Sequence, residues 1–393
     1  MRIVKRVLST YSADNFGVCS ALYELGGLVV MHDASGCNST YNTHDEPRWY
    51  DMDSMVFISG LTEKDAIFGN DEVLVRNLCE TADKLKPKFV CVCGGPLPHI
   101  IGTDFRAVAK SVSRRTGLPT FGIQTNGMDS YLSGAGEALA CLVDMMSEPE
   151  RKIGGDKIAV NLLGATPLDF SLNGSVQAIE ELLRENGFQV RSTWAMGDTL
   201  ENILTSADAD VNLVISATGY PAARRMQERF GIPFVTGCPV GRRNAERICS
   251  KIREAASRAD RPERTAADEV ESRNGAIEKE RRETILLIGE PVMMKSLAEE
   301  IGGGIDIICP MRGVPREITA GTREIVLEDE LREACRAADL VIADPLYARL
   351  LPAEPDKFIA LPHVAYSGRY YEKEIPVLVG AKLNEWLWQV GVR

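Results

Sequence analysis

The chain has 393 residues, 45% of them hydrophobic and 26% charged, with a formal net charge of -11. That length suggests two to three globular domains, and the acidic balance argues against nucleic acid or an acidic membrane as the main partner. No apolar run reaches the roughly 18 residues of a spanning helix, and MRIVKRVLSTYSADNFG at the N-terminus lacks a signal-peptide core, so a cytoplasmic protein with no membrane partner is expected.

The elements follow in chain order. GVCSALYELGGLVVMHDASGC (17–37) reads as a helix opening at Cys19, a buried strand, and a glycine turn into Cys37. KFVCVCGG (88–95) reads as a strand whose Cys91 and Cys93, two apart, point to one side. DFRAVAKSVSRRTG is an amphipathic helix with a glycine stop, and PTFGIQTNG (119–127) is the next strand. SEPERKIGGDK (147–157) is polar and glycine-bearing, which suits a junction. The rhythm restarts with strand KIAVNLLG (157–164), helix SVQAIEELLRENG, and strands FQVRSTWA and VNLVISATG (211–219). A charged, alanine-rich stretch (251–283) reads as a solvated helix and linker. A third restart gives strand TILLIGEP (284–291), helix VMMKSLAEEIGG, and strands IDIICP and DLVIADP (339–345). Such alternation predicts an α/β fold of three Rossmann-like units with parallel sheets, over residues 1–150, 151–280 and 281–393.

In doubly wound sheets, ligands bind beyond the C-terminal ends of the strands, so the strand-end loops are the places to search. Ten cysteines are too sparse for a secreted disulfide framework, and four histidines (His32, His44, His99 and His363) are too few for a histidine-rich metal site. Cys37 follows a strand, and a helix start at Cys19 would favour its thiolate. Both also suit small core positions, and so does Cys93. His99 lies in the loop after a strand, and Cys238 follows IPFVT at another strand end. Arg242 and Arg243 read equally as an anion site or as surface charge. LPHVAYSGRYYEKEIP (361–376) gathers His363, Tyr366, Arg369, Tyr370 and Tyr371. No phosphate loop and no G-x-S-x-G occurs, so the chain shows no nucleotide site or hydrolase elbow of its own.

ASGC ending at Cys37, the upstream Cys19, ISGLTEKDAIFGNDEVL (58–74), HIIGTDFRAVAK (99–110) and the three restarts together resemble the nitrogenase component 1 family. That family includes the nitrogenase subunits, their cofactor-assembly scaffolds, dark-operative protochlorophyllide reductase subunits and Ni-sirohydrochlorin reductive cyclase. The resemblance implies that Cys19 and Cys37 are ligands of an interfacial iron–sulfur cluster. Pro96 stands where the nitrogenase subunits carry a third cluster cysteine, and Cys93 lies three residues earlier. Two copies would bring four thiolates, the set one [4Fe–4S] cluster needs. The implied partners are a second copy or a component 1 paralogue, and a nitrogenase-reductase-like iron protein that hydrolyses ATP and delivers low-potential electrons. The implied activity is reduction of a small molecule or tetrapyrrole between the domains, near His99, Gln124, Cys238, His363 and Tyr366, with room for a second metallocofactor. A metallocofactor-assembly scaffold or carrier is the alternative.

Overall fold

Runs of Val, Ile and Leu buried on both faces build three all-parallel sheets in a computed structural model that describes residues 7–39, 41–69, 71–149, 157–259 and 284–391. The first sheet holds β1 (Leu28–His32), β2 (Met55–Ile58), β3 (Val90–Gly94) and β4 (Thr120–Gly122), in the order β2-β1-β3-β4. The second holds β5 (Ala159–Leu163), β6 (Gln189–Thr193), β7 (Val211–Val214) and β8 (Phe234–Thr236), in the order β6-β5-β7-β8. The third holds β9 (Ile285–Ile288), β10 (Ile305–Cys309), β11 (Arg323–Glu324), β12 (Leu340–Ala343) and β13 (Phe358–Ala360), in the order β11-β10-β9-β12-β13. Each order reverses direction beside the sheet's first strand, which opens a crevice at the carboxyl ends there.

The strand period of two is visible in the first sheet. Leu28, Val30, Val90 and Val92 pack into one layer, and Val29, Met31, Cys91 and Cys93 into the opposite one. The intervening helices end as their residues direct. Asp104 accepts from the Ala107 N–H (3.0 Å) to start Phe105–Thr116, and Gly117 closes that helix at φ 74. Of the charged stretch 251–283, the first part continues the helix Arg242–Ala259, and 260–283 lies outside the described residues. Most of the expected junction at 147–157 lies outside them as well. Among the described residues, no helix is long and apolar enough to cross a membrane.

Two contacts fix the first layer, one within it and one to the second. The helix Asp14–Leu22 and the helix Tyr131–Met145 touch backbone to backbone. A Cβ at Gly17 would fall on the Tyr131 carbonyl, and one at Gly134 on the Asp14 carbonyl, so glycine is required at both positions. The second contact is Arg48, whose side chain is 1% exposed. Its guanidinium bonds Glu46 (2.6 Å) and Glu24 (2.9 Å) and donates to the carbonyls of Ser20 (2.7 Å) and Ala195 (3.0 Å). Glu24 in turn accepts from the Gly197 N–H at 2.7 Å. Ala195 and Gly197 belong to the loop after β6, so this buried ion pair ties the first sheet's layer to the second's. Removing one member of a buried ion pair strands the other charges and costs about 3–5 kcal/mol. Arg48→Ala should therefore lower the urea midpoint by a destabilisation of about that size; a change within experimental error would show that Arg48 does not join the layers.

Candidate functional site

The switch points of the second and third sheets face one cavity of about 50 Å3. Its polar lining includes Asp169, Cys238, Asp344, His363 and Tyr366, and Phe170, Met294 and Leu361 are among its apolar walls. Three buried acids stand at the strand ends around it. Asp169 lies in the short helix Pro167–Phe170, just past β5. Its carboxylate accepts hydroxyl bonds from Tyr131 (2.5 Å), Thr166 (2.9 Å) and Ser216 (2.7 Å). Asp344 follows β12 and accepts from the N–H groups of Leu346 (2.9 Å) and His363 (2.8 Å) and from the Ser367 hydroxyl (2.8 Å). Burial pushes its carboxyl above the usual range.

Glu290 follows β9 and sits behind the cavity, 1% exposed. It caps the helix Pro291–Ile301 through the N–H groups of Val292 (3.1 Å) and Met293 (2.7 Å), and it reaches Ala217 N–H of the second layer (2.9 Å). Burial, and then the nearby Asp169 charge, push its carboxyl up to about 7. The Glu290 carboxyl thus retains a proton near neutrality.

His363 Nδ1 accepts from the Ala365 N–H at 3.3 Å, which leaves the proton of a neutral ring on Nε2, 3.6 Å from Asp169. The Tyr366 ring packs 5.0 Å from the imidazole, centroid to centroid. Tyr366 is 2% exposed, and its hydroxyl has no hydrogen-bond partner. Cys238 is fully buried; burial, followed by the Glu290 and Asp169 charges, holds its thiol well above the ordinary range and keeps it protonated.

The other sequence candidates lie elsewhere. His99 is exposed on the short helix Pro96–Ile100 of the first layer. The Gln124 side chain accepts from the Phe105 N–H (3.2 Å) and donates to the Thr103 carbonyl (2.7 Å), which holds the turn before that helix. Neither joins Cys238, His363 and Tyr366. Arg243 donates to the Glu299 carbonyl (3.1 Å) and to that of Glu300 at the end of the helix Pro291–Ile301, so it serves as a helix-end donor.

The cysteines of the first layer are arranged differently from the sequence expectation. The helix expected to open at Cys19 opens at Asp14 instead, because Ala13 already has the extended backbone of a cap. Cys19 therefore lies midway along the helix, fully buried and away from the N-terminal dipole. Its thiol meets that of Cys93, a contact that, with burial, raises the Cys93 thiol well above the usual range. Cys37 lies in the turn after β1 and is exposed; partial burial and the neighbouring Asp33 carboxylate raise its thiol. Among the described residues, no three His, Cys, Asp or Glu side chains gather closely enough to hold a metal ion. Of the three candidate ligands, Cys37 is exposed, whereas Cys19 and Cys93 are buried.

Asp169, Glu290, Asp344 and Tyr131 were missed from the sequence, although signals existed. Glu290-Pro291 and Asp344-Pro345 each place an acid before proline just after a strand, the cap-then-proline pattern of a helix start. Thr166-Pro-Leu-Asp169 has the spacing of a capping box. On the native protein, iodoacetamide should alkylate Cys37 long before Cys19 or Cys93, read by peptide mass spectrometry; equal rates at Cys19 and Cys37 would contradict the buried pair.

A family model described as "Nitrogenase component 1 type Oxidoreductase" matches residues 16–308. The nitrogenase iron-molybdenum cofactor biosynthesis protein NifE of Bradyrhizobium diazoefficiens is 29% identical over 215 residues, covering 53% of this chain and 38% of that protein. The nitrogenase molybdenum-iron protein alpha chain of Clostridium pasteurianum is 25% identical over 219 residues, covering 54% of this chain and 39% of its own. The matched regions thus span less than two fifths of these curated relatives. The solved structure "Nitrogenase Cp1 at pH 6.5" superposes with a TM-score of 0.69 at 16% identity, over 99% of this chain and 94% of that one, which shows the shared fold. With this match over most of its length and this architecture, the chain belongs to the nitrogenase component 1 type oxidoreductase family.

Proposed function

We propose that this chain is the substrate-binding component of a nitrogenase-like reductase, supplied with low-potential electrons by an ATP-hydrolysing iron protein. Reduction takes place in the cavity between the second and third sheets. The observation that carries this reading is the convergence there of Cys238, His363 and Tyr366 with the carboxylates of Asp169 and Asp344. Reduction of an organic bond consumes a proton with each electron, and groups that hold protons line or back the cavity. His363 bears one on Nε2 when neutral, Glu290 retains one near pH 7, and the Cys238 thiol is protonated. A water occupies about 10–15 Å3 by this measure, so 50 Å3 suits a small molecule, and a tetrapyrrole would need the walls to part.

An iron–sulfur group at a subunit interface belongs to the same reading. Cys37 would supply one accessible thiolate, and the second subunit (another copy or a component 1 paralogue) would complete the ligand set. An assembly scaffold or carrier is the second reading, favoured by the similarity to NifE, and the same cavity would then hold a precursor without turnover.

The test is anaerobic mixing with the reduced iron protein and MgATP, following oxidation of that protein by absorbance. ATP-dependent electron uptake, abolished by Cys37→Ala and retained by His363→Gln, is expected. Absence of uptake, together with transfer of bound iron to a third protein, would replace the reductase reading with the scaffold.

A further inference from the structure

The first sheet ends in an open edge. In the order β2-β1-β3-β4, the last strand has a neighbour on one side only. On that side the Pro119 carbonyl accepts the Val90 N–H (2.9 Å), and the Ile123 N–H donates to the Val92 carbonyl (3.0 Å). Bonding direction alternates along a strand, so Thr120 and Gly122 turn their N–H and C=O groups away from β3. Among the described residues, none bonds those groups. An unpaired edge of this kind is a template for another strand.

The helix Phe105–Thr116 lies on the crossover between the parallel strands β3 and β4 and so runs back along them. Its Arg106, Lys110 and Arg114 are exposed and spaced four apart, which puts them in one row on the helix surface. With Thr120 and Gly122 they line a shallow groove of about 430 Å3. A water takes about 10–15 Å3 by this measure, so the groove has room for a chain segment rather than an ion alone. No carboxylate lines it, although the chain carries a net charge of -11. The adjacent Arg115 is paired with Glu72 at 2.7 Å, whereas Arg106, Lys110 and Arg114 have no ion-pair partner among the described residues. The Ser113 and Thr120 hydroxyls are turned to the Leu118 carbonyl (2.9 and 3.1 Å), which leaves the three cations as the free side-chain donors of the groove.

The edge and the row share one repeat. Four residues of helix rise about 6.0 Å, and two residues of strand advance about 6.6 Å. Thr120 and Gly122 register with Val90 and Val92, which pack in one layer with Phe105 and Val108 of this helix. Alternate side chains of a strand laid beside β4 would therefore face the helix side and reach the cations in turn. We propose that this groove docks an extended acidic segment of a partner protein, which extends the first sheet beyond β4 and sets acids at every second residue against Arg106, Lys110 and Arg114. Exposed ion pairs are individually weak, so the backbone bonds hold the strand and the charges select it. A polypeptide can use both the edge and the row; a nucleic acid could use the row alone.

Fluorescence anisotropy of the full chain with labelled peptides tests this. Glu-Thr-Glu-Thr-Glu-Thr-Glu should bind saturably, one per chain, and more tightly at low salt. Glu-Glu-Glu-Glu-Thr-Thr-Thr has the same charge and composition without the alternation, and should bind about tenfold more weakly or worse. A variant combining Arg106→Ala, Lys110→Ala and Arg114→Ala alters only exposed, unpaired side chains, so its fold is kept, and it should lose about tenfold or more in affinity. N-methylation removes backbone donors and leaves the charge intact. Methylating the Glu nitrogens in one peptide and the Thr nitrogens in another should cost far more affinity in one than in the other; loss with Glu marks an antiparallel strand, loss with Thr a parallel one. Equal binding of the two methylated peptides, or equal binding of the grouped-acid peptide or of a ten-nucleotide oligothymidylate, would overturn the proposal. So would affinity unchanged in the folded triple variant, or no saturable binding of the alternating peptide.

Discussion

A carboxylate taken out of water must be met by donors, and in this protein the donors come from neighbouring layers. Glu290 ends the first strand of the third sheet and takes its third N–H from Ala217, in the second. Asp169 follows the first strand of the second sheet and takes a hydroxyl from Tyr131, on the long helix of the first layer. The Ser296 hydroxyl of the third layer accepts the Cys238 N–H of the second at 2.9 Å. Each of these buried groups takes one of its partners from another layer, and that bond exists only when the layers are docked. Their arrangement and the position of the cavity are therefore one constraint. The acids that hold the units together are also the groups any ligand must face.

The first layer joins this frame in a different way. The backbone-to-backbone contact at Gly17 and Gly134 joins two of its own helices, and the buried Arg48 between Glu46 and Glu24 fixes it against the second layer; neither supplies a cavity residue. It contributes Tyr131 to the site from behind, and it presents Cys37 at the surface. Under the reductase proposal, electron entry at Cys37 and substrate chemistry in the cavity would lie in separate places. Such an arrangement suits a protein that receives electrons from one partner and uses them deeper inside.

The sheets were legible because buried parallel strands read as short Val- and Ile-rich runs. KIAVNLLG, TILLIGEP and DLVIADP all became strands within three residues of the expected span. The strand-end placement of His363, Tyr366 and Cys238 was legible, and all three line one cavity. Their convergence was not legible, since it depends on how two sheets dock, which no local pattern encodes. The start of the helix that carries Cys19 was misplaced for a local reason: the pattern put it several residues too late, and only the extended backbone at Ala13 reveals the true one. His99 and Gln124 also sit near strand ends, but on a layer whose crevice faces elsewhere. The acids went unread because Glu-Pro and Asp-Pro after a strand look first like caps, and they are caps as well as lining or backing the cavity.

The account stands or falls on the cavity between the second and third sheets being the place where this protein holds its ligand. The most direct measurement is a crystal structure of the protein isolated anaerobically with whatever it retains. Density for a bound molecule in contact with Tyr366 and Asp169 is the predicted result. A cavity containing only water, with the retained molecule instead in the crevice beside His32 and Asp71 of the first layer, would contradict it.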